Sequence, residues 1–232
     1  MFENNKVSVC GEILSKPEFS HEIFGESFYE FMIKIKRLSD SFDTIPVTIS
    51  ERLMENVDLS IGKTIAVSGQ FRSYNKLENN KSRLMLTIFV REFLDISQKI
   101  EPNYIEITGY LCKEPIYRTT PFNREICDIL LAVNRSYNKS DYIPCIAWGR
   151  NARFIKNCEV GEKIKVVGRI QSREYQKKIE NSTEMITKTA YEVSLNKIII
   201  QKENNLITKP KQTTKESFES VINKPIYSGV GA

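Results

Sequence analysis

The chain carries one pattern twice. Gly11 and Pro17 recur 98 positions later as Gly109 and Pro115, Phe31-Met32-Ile33 before Arg37 recurs as Ile129-Leu130-Leu131 before Arg135, and Asp43-Thr44-Ile45-Pro46 recurs as Asp141-Tyr142-Ile143-Pro144. After one inserted residue, Gly62, Gly69 and Ser73 return as Gly161, Gly168 and Ser172. A duplicated unit explains this agreement, and 232 residues suit two such units, each burying a small core of its own.

Each copy reads as β-rich, because short alternating apolar runs dominate and Gly, Pro and Asn punctuate them. In the second copy the alternation predicts strands near 104–111, 126–134, 142–148, 163–173 and 185–195. One segment per copy reads as helical: residues 150–158 (RNARFIKNC) and their counterpart 51–58 (ERLMENVD), between the third and fourth strands. Five strands with a helix after the third is the order of an OB fold, so the expected class is all-β, two tandem five-stranded Greek-key barrels. The expected organisation is a first barrel over 1–97, a second over 103–200, and a flexible basic tail over 201–232 without apolar periodicity. The polar stretches 76–82 and 176–183 read as mobile loops between the last two strands of each copy.

Charge is unevenly shared between the copies. Residues 1–100 hold 13 Lys+Arg against 14 Asp+Glu, a net −1, whereas residues 101–200 hold 16 against 12, a net +4, and the remainder adds +2. A polyanionic partner is therefore expected at the second copy. Several function classes find no support. No apolar run reaches the roughly 18 residues of a membrane span and the first residues lack the pattern of a signal peptide, so a cytoplasmic protein is expected. The five cysteines form no CxxC pair and fall in apolar stretches, which makes them core residues rather than metal ligands, and no metal or other cofactor is expected. His21 is the single histidine, in a predicted loop, and the nucleotide-binding, zinc-protease and nucleophile-elbow motifs are absent, so an enzyme is not expected.

Four ordered segments of the second copy resemble the bacterial single-stranded DNA-binding protein family: GYLCKEP at 109–115, LAVNRSY at 131–137, DYIPCIAWG at 141–149 and GRIQSREY at 168–175. The resemblance implies that Tyr137, Tyr142, Trp148 and Tyr175 stack against bases. It also implies that Arg118, Arg135, Arg150, Arg169 and Arg173, with Lys177 and Lys178 in the polar hairpin, follow the phosphates. Such a surface is sequence-tolerant because every base has a π-face. A lone Trp closing an alternating strand also fits as a barrel plug, but four aromatics at four family positions favour stacking. The implied partners are single-stranded DNA, other replication or repair proteins, and a second copy of the chain in a homodimer presenting four barrels.

The first copy resembles the family only through its alignment to the second. Its counterparts of Tyr137, Tyr142 and Trp148 are Ser39, Thr44 and Ser50, and near the counterpart of Tyr175 it offers Tyr74 and Lys76. Phe19, Phe24, Phe28, Tyr29 and Phe42 crowd the first copy instead, in or beside its early loops. The stretch after Glu219 contains no acidic residue, unlike the acidic tip through which the family recruits partners. These departures leave a second reading: a primosome-like or mobile-element accessory factor, one barrel on DNA and the other on a protein.

Overall fold

In a computed structural model of the chain, residues 4–55, 57–78, 81–96, 101–178 and 185–201 are described. The first repeat forms β1 (Asn5–Ile13), β2 (Glu18–Ile23), β3 (Glu26–Lys36), β4 (Phe42–Ser50), α1 (Glu51–Met54), β5 (Thr64–Glu78) and β6 (Lys81–Phe93). The second forms β7 (Asn103–Leu111), β8 (Ile116–Thr119), β9 (Glu125–Asn134), β10 (Ser140–Trp148), α2 (Arg150–Ile155), β11 (Lys163–Lys178) and β12 (Met185–Ile200).

Five strands close each barrel. In the first repeat β1 pairs with β5 and β3, β5 with β6, β6 with β4 and β4 with β3; the second repeats the circuit through β7, β11, β12, β10 and β9. The β4–β6 and β10–β12 contacts are the parallel ones. Alternation puts the odd-numbered side chains of β7 inside, where Ile105, Ile107 and Leu111 are buried with Ile143, Val166, Ile170 and Val193. Truncating one of these, such as Ile107, is expected to cost about 2–5 kcal/mol because the closed barrel cannot collapse onto the void.

Three details differ from the sequence expectation. A sixth strand, β2 or β8, is added outside each barrel by pairing with β3 or β9; these edge segments bury no continuous face, so alternation does not reveal them. Residues 76–78 and 176–178 extend β5 and β11 as polar ribbon, since cross-strand hydrogen bonds need no apolar face. The hairpin tips lie outside the described residues, as does all of the predicted tail after Gln201. The helices are also shorter than predicted, ending at Met54 and Ile155.

Gly69 and Gly168 sit at matching register shifts in β5 and β11. A Cβ on Gly69 would lie 2.1 Å from the Phe89 carbonyl oxygen, and one on Gly168 would lie 2.1 Å from that of Ser194. Only glycine permits this approach.

The repeats join through β1 and β7, which run antiparallel with Val7 opposite Ile105. The resulting sheet holds 12 strands among the described residues. Asn5 clamps the Phe71 backbone, accepting its N–H at 2.9 Å and donating to its carbonyl at 2.7 Å. Asn103 clamps Ile170 with the same two distances. The junction therefore has approximate two-fold symmetry.

Candidate nucleic-acid interface

Register decides which predicted residues share a face. Arg169, Gln171, Arg173 and Tyr175 alternate along β11 and so point the same way. Arg169 lies opposite Ser194 on β12, and Ser194 lies opposite Ile146 on β10, whose same-side neighbours are Tyr142 and Trp148. Trp148 pairs with Ile126 of β9, which faces Arg118 of β8. One face of the second barrel thus carries three of the four predicted aromatics and three of the predicted arginines.

Trp148 ends β10 with 38% of its surface exposed, and its indole Nε1–H donates to Ser194 Oγ at 3.2 Å. It therefore lies at the barrel surface, held at its polar edge, and does not plug the interior. Tyr175 is half-buried opposite Lys188, with the Arg173 guanidinium 5.9 Å from its ring centre. Tyr142 is also half-buried, and its backbone N–H donates to Ser73 Oγ of the first repeat at 2.7 Å. About 20 Å of strand separates it from Trp148. Tyr137 stands apart: it is 94% exposed at the β9–β10 turn, with a left-handed backbone at φ 61°.

The cations fall into two kinds. Arg150 is exposed at the start of α2. Four others are tied to carboxylates. Arg118 Nε donates to Asp128 Oδ2 at 2.8 Å, and Arg173 Nε lies 3.8 Å from Glu192 Oε1. Arg169 donates to Asp43 Oδ2 of the other repeat at 3.1 Å, and burial lowers its pKa. Arg135 Nε lies 3.4 Å from Asp141 Oδ2 without forming a hydrogen bond. Burial raises the Asp128 and Asp141 pKa values despite these neighbours. Lys177 and Lys178 close β11 opposite Ile186 and Met185.

Sequence reasoning did not foresee the carboxylate partners, nor the role of Asp43 and Asp141 at the repeat junction. It also placed the first repeat's aromatics too loosely. Phe19 and His21 lie on β2, Phe28 and Tyr29 on β3, Phe42 begins β4, and Phe24 occupies a turn. His21 stacks on Phe28 with ring centres 5.1 Å apart. Phe89 of β6 packs against Phe28 with ring centres 5.4 Å apart and has no distinguishing signal in the sequence. Among the described residues no three His, Cys, Asp or Glu side chains come together as a metal-holding group, and no helix is long and apolar enough to cross a membrane. All five cysteines are free, three of them buried.

The sequence profile of the Single-strand binding protein family matches residues 102–200. Single-stranded DNA-binding protein 1 of Staphylococcus aureus is 36% identical over 81 residues, which make up 32% of this chain and 48% of that protein. Single-stranded DNA-binding protein B of Bacillus subtilis is 33% identical over 81 residues, 72% of its length. The chain thus spans about half the length of several curated relatives that it matches. The crystal structure of the wild-type single-stranded DNA binding protein from Thermus aquaticus shares the fold, with a TM-score of 0.67 and 16% identity over 90% of this chain and 96% of that one. With 33% identity over 81 residues that span 72% of the Bacillus subtilis protein, and with the family profile spanning its second repeat, this chain belongs to the single-strand binding protein family.

Proposed function

We propose that the chain binds single-stranded DNA with little sequence preference, through the second repeat, in replication, recombination or repair. The observation that carries this reading is the common face that holds Trp148, Tyr142 and Tyr175 together with Arg118, Arg169 and Arg173. Bases stack on the rings, with Tyr137 extending the platform at the turn, and phosphates meet the guanidiniums together with Arg135, Arg150, Lys177 and Lys178. The buried carboxylates hold several arginines in fixed positions, which lowers the ordering cost of binding a flexible strand. Residues 103–200 act as the binding domain and residues 1–97 as a second barrel. The chain works by binding, not by catalysis, and assembles as a homodimer.

Fluorescence anisotropy with a labelled dT oligomer and a duplex of the same length tests this. The oligomer is expected to bind much more tightly than the duplex at one salt concentration. Equal affinity would refute the single-strand reading.

A further inference from the structure

The first repeat lacks the aromatic that ends β10, since Ser50 stands where Trp148 stands in the second. The strand register shows that an aromatic is nonetheless present at the same place, supplied from the neighbouring strand. Gly69 abuts the Phe89 carbonyl as Gly168 abuts that of Ser194, and Thr48 pairs with Phe89 as Ile146 pairs with Ser194. Phe89 is therefore the counterpart of Ser194. The second repeat has Trp148 on β10 beside Ser194 on β12; the first has Ser50 on β4 near Phe89 on β6, the two lining one groove. Aromatic and serine have exchanged strands.

The surroundings of Phe89 are those of a base site. Its ring centre lies 5.4 Å from that of Phe28. The Arg72 guanidinium lies 3.8 Å from the Phe89 centre and that of Arg91 lies 5.3 Å away. A stacked guanidinium offers a further flat surface to a base and a cation to its phosphate. Phe28, Phe89, Ser50, Arg52 and Arg91 line an open groove of about 280 Å³, with Glu26 as its acidic member. That volume lies below the range of pockets that enclose drug-sized ligands, and its open form suits one edge-entering ring. Arg72 lies near Arg91 and Arg135 with Asp141 as its acidic neighbour, and burial brings its pKa down to about 10. A phosphate is the complementary charge.

We infer that the first repeat carries its own base-stacking subsite, built on Phe89 backed by the buried Phe28, with Arg72, Arg91 and Arg52, which takes a second stretch of single-stranded DNA. This rests on the single-strand reading above but uses residues that reading does not. It gives the first repeat a DNA-contacting role despite the loss of aromatics at its homologous positions.

Photocrosslinking of the full chain to an iodouracil-substituted dT oligomer of about 30 nucleotides, enough for two barrels, separates the two claims. Crosslinked peptides containing Phe89 are expected alongside those containing Trp148. Crosslinks at Trp148 without any at Phe89 would overturn the subsite and leave the single-strand reading intact. Crosslinks at Phe89 without any at Tyr142, Trp148 or Tyr175 would support the subsite and overturn the assignment of the second repeat. Crosslinks at neither would overturn both. Phe89→Leu, which keeps apolar packing but removes the ring, is expected to weaken the 30-nucleotide oligomer roughly 5- to 150-fold while leaving an oligomer of about 8 nucleotides bound at Trp148. Combining Phe89→Ser with Ser50→Trp returns the aromatic to the strand used in the second repeat and should restore most of the lost affinity. Unchanged binding by Phe89→Leu would contradict the subsite.

Discussion

Asp43 and Ser172, from different repeats, are joined by a hydrogen bond in which the Ser172 backbone N–H donates to Asp43 Oδ1 at 2.8 Å. The reciprocal contact is also present: the Ser73 N–H donates to Asp141 Oδ1 at 2.7 Å. The two differ in completeness. Asp43 additionally receives Arg37 through Nε at 2.9 Å and a terminal nitrogen at 2.5 Å, together with Arg169, whereas Asp141 Oδ2 has no hydrogen bond. Asp43 is therefore the stronger tie between the barrels.

Replacing Asp43 with Ala strips Arg37, Arg169 and the Ser172 N–H of a partner fully buried in the fold. The expected loss is about 3–5 kcal/mol, as for other buried pairs broken on one side. Urea unfolding of the full chain measures it. A loss under about 1 kcal/mol would show that Asp43 is not a principal tie between the barrels.

Asp141 gives the junction a pH signature. Burial, the largest influence, raises its pKa above the ordinary 3.8, against the Ser73 hydrogen bond and the Arg135 and Arg72 charges. The folded chain therefore takes up this proton before the unfolded chain does. This contribution to stability grows as pH falls through the folded pKa toward 3.8 and fades as pH rises. Relative to Asp141→Asn, the natural chain should gain thermal stability on acidification from neutral pH. A difference moving the other way would mean that Ser73 and the arginines outweigh burial.

At the binding face, Trp148→Leu should lower single-strand affinity by about 1–3 kcal/mol while the chain stays folded. The Ser194 hydrogen bond that it gives up is worth only about 0.5–1.5 kcal/mol. Unaltered affinity in a folded variant would remove Trp148 from the interface, and unfolding would make its role structural.

The arginines should separate by salt dependence. Arg150→Ala, an exposed charge, is expected to reduce the slope of log affinity against log salt by about 0.7 with little effect on stability. Arg169→Ala removes an Asp43 partner as well, so it should lower both slope and stability. Equal stability losses for the two would contradict the distinction.

Much of this arrangement was legible in the sequence because it depends on local alternation. The five barrel strands and the position of each helix follow from apolar period, and an offset of 98, rising to 99 after one inserted residue before Gly62, assigns counterparts through β5. What escaped depends on non-local contact. Asp43 and Asp141 meet Ser172 and Ser73 from 129 and 68 positions away, a separation that local alternation does not reveal. The Phe89–Ser194 equivalence escaped because the last hairpin is longer in the second repeat, which moves the last strand to a different offset from that of Gly69 and Gly168. Those two glycines were visible in the repeat, but their use as close-approach points required the sheet.

The most direct test is an equilibrium titration of the full chain with dT oligomers, following the fluorescence of Trp148, the single tryptophan of the sequence. The account predicts saturable quenching by dT, reversed by added salt and absent with a duplex of equal length. A folded chain whose Trp148 emission is unchanged by single strands, while binding is detected by another probe, would contradict the placement of the interface on the second repeat's face.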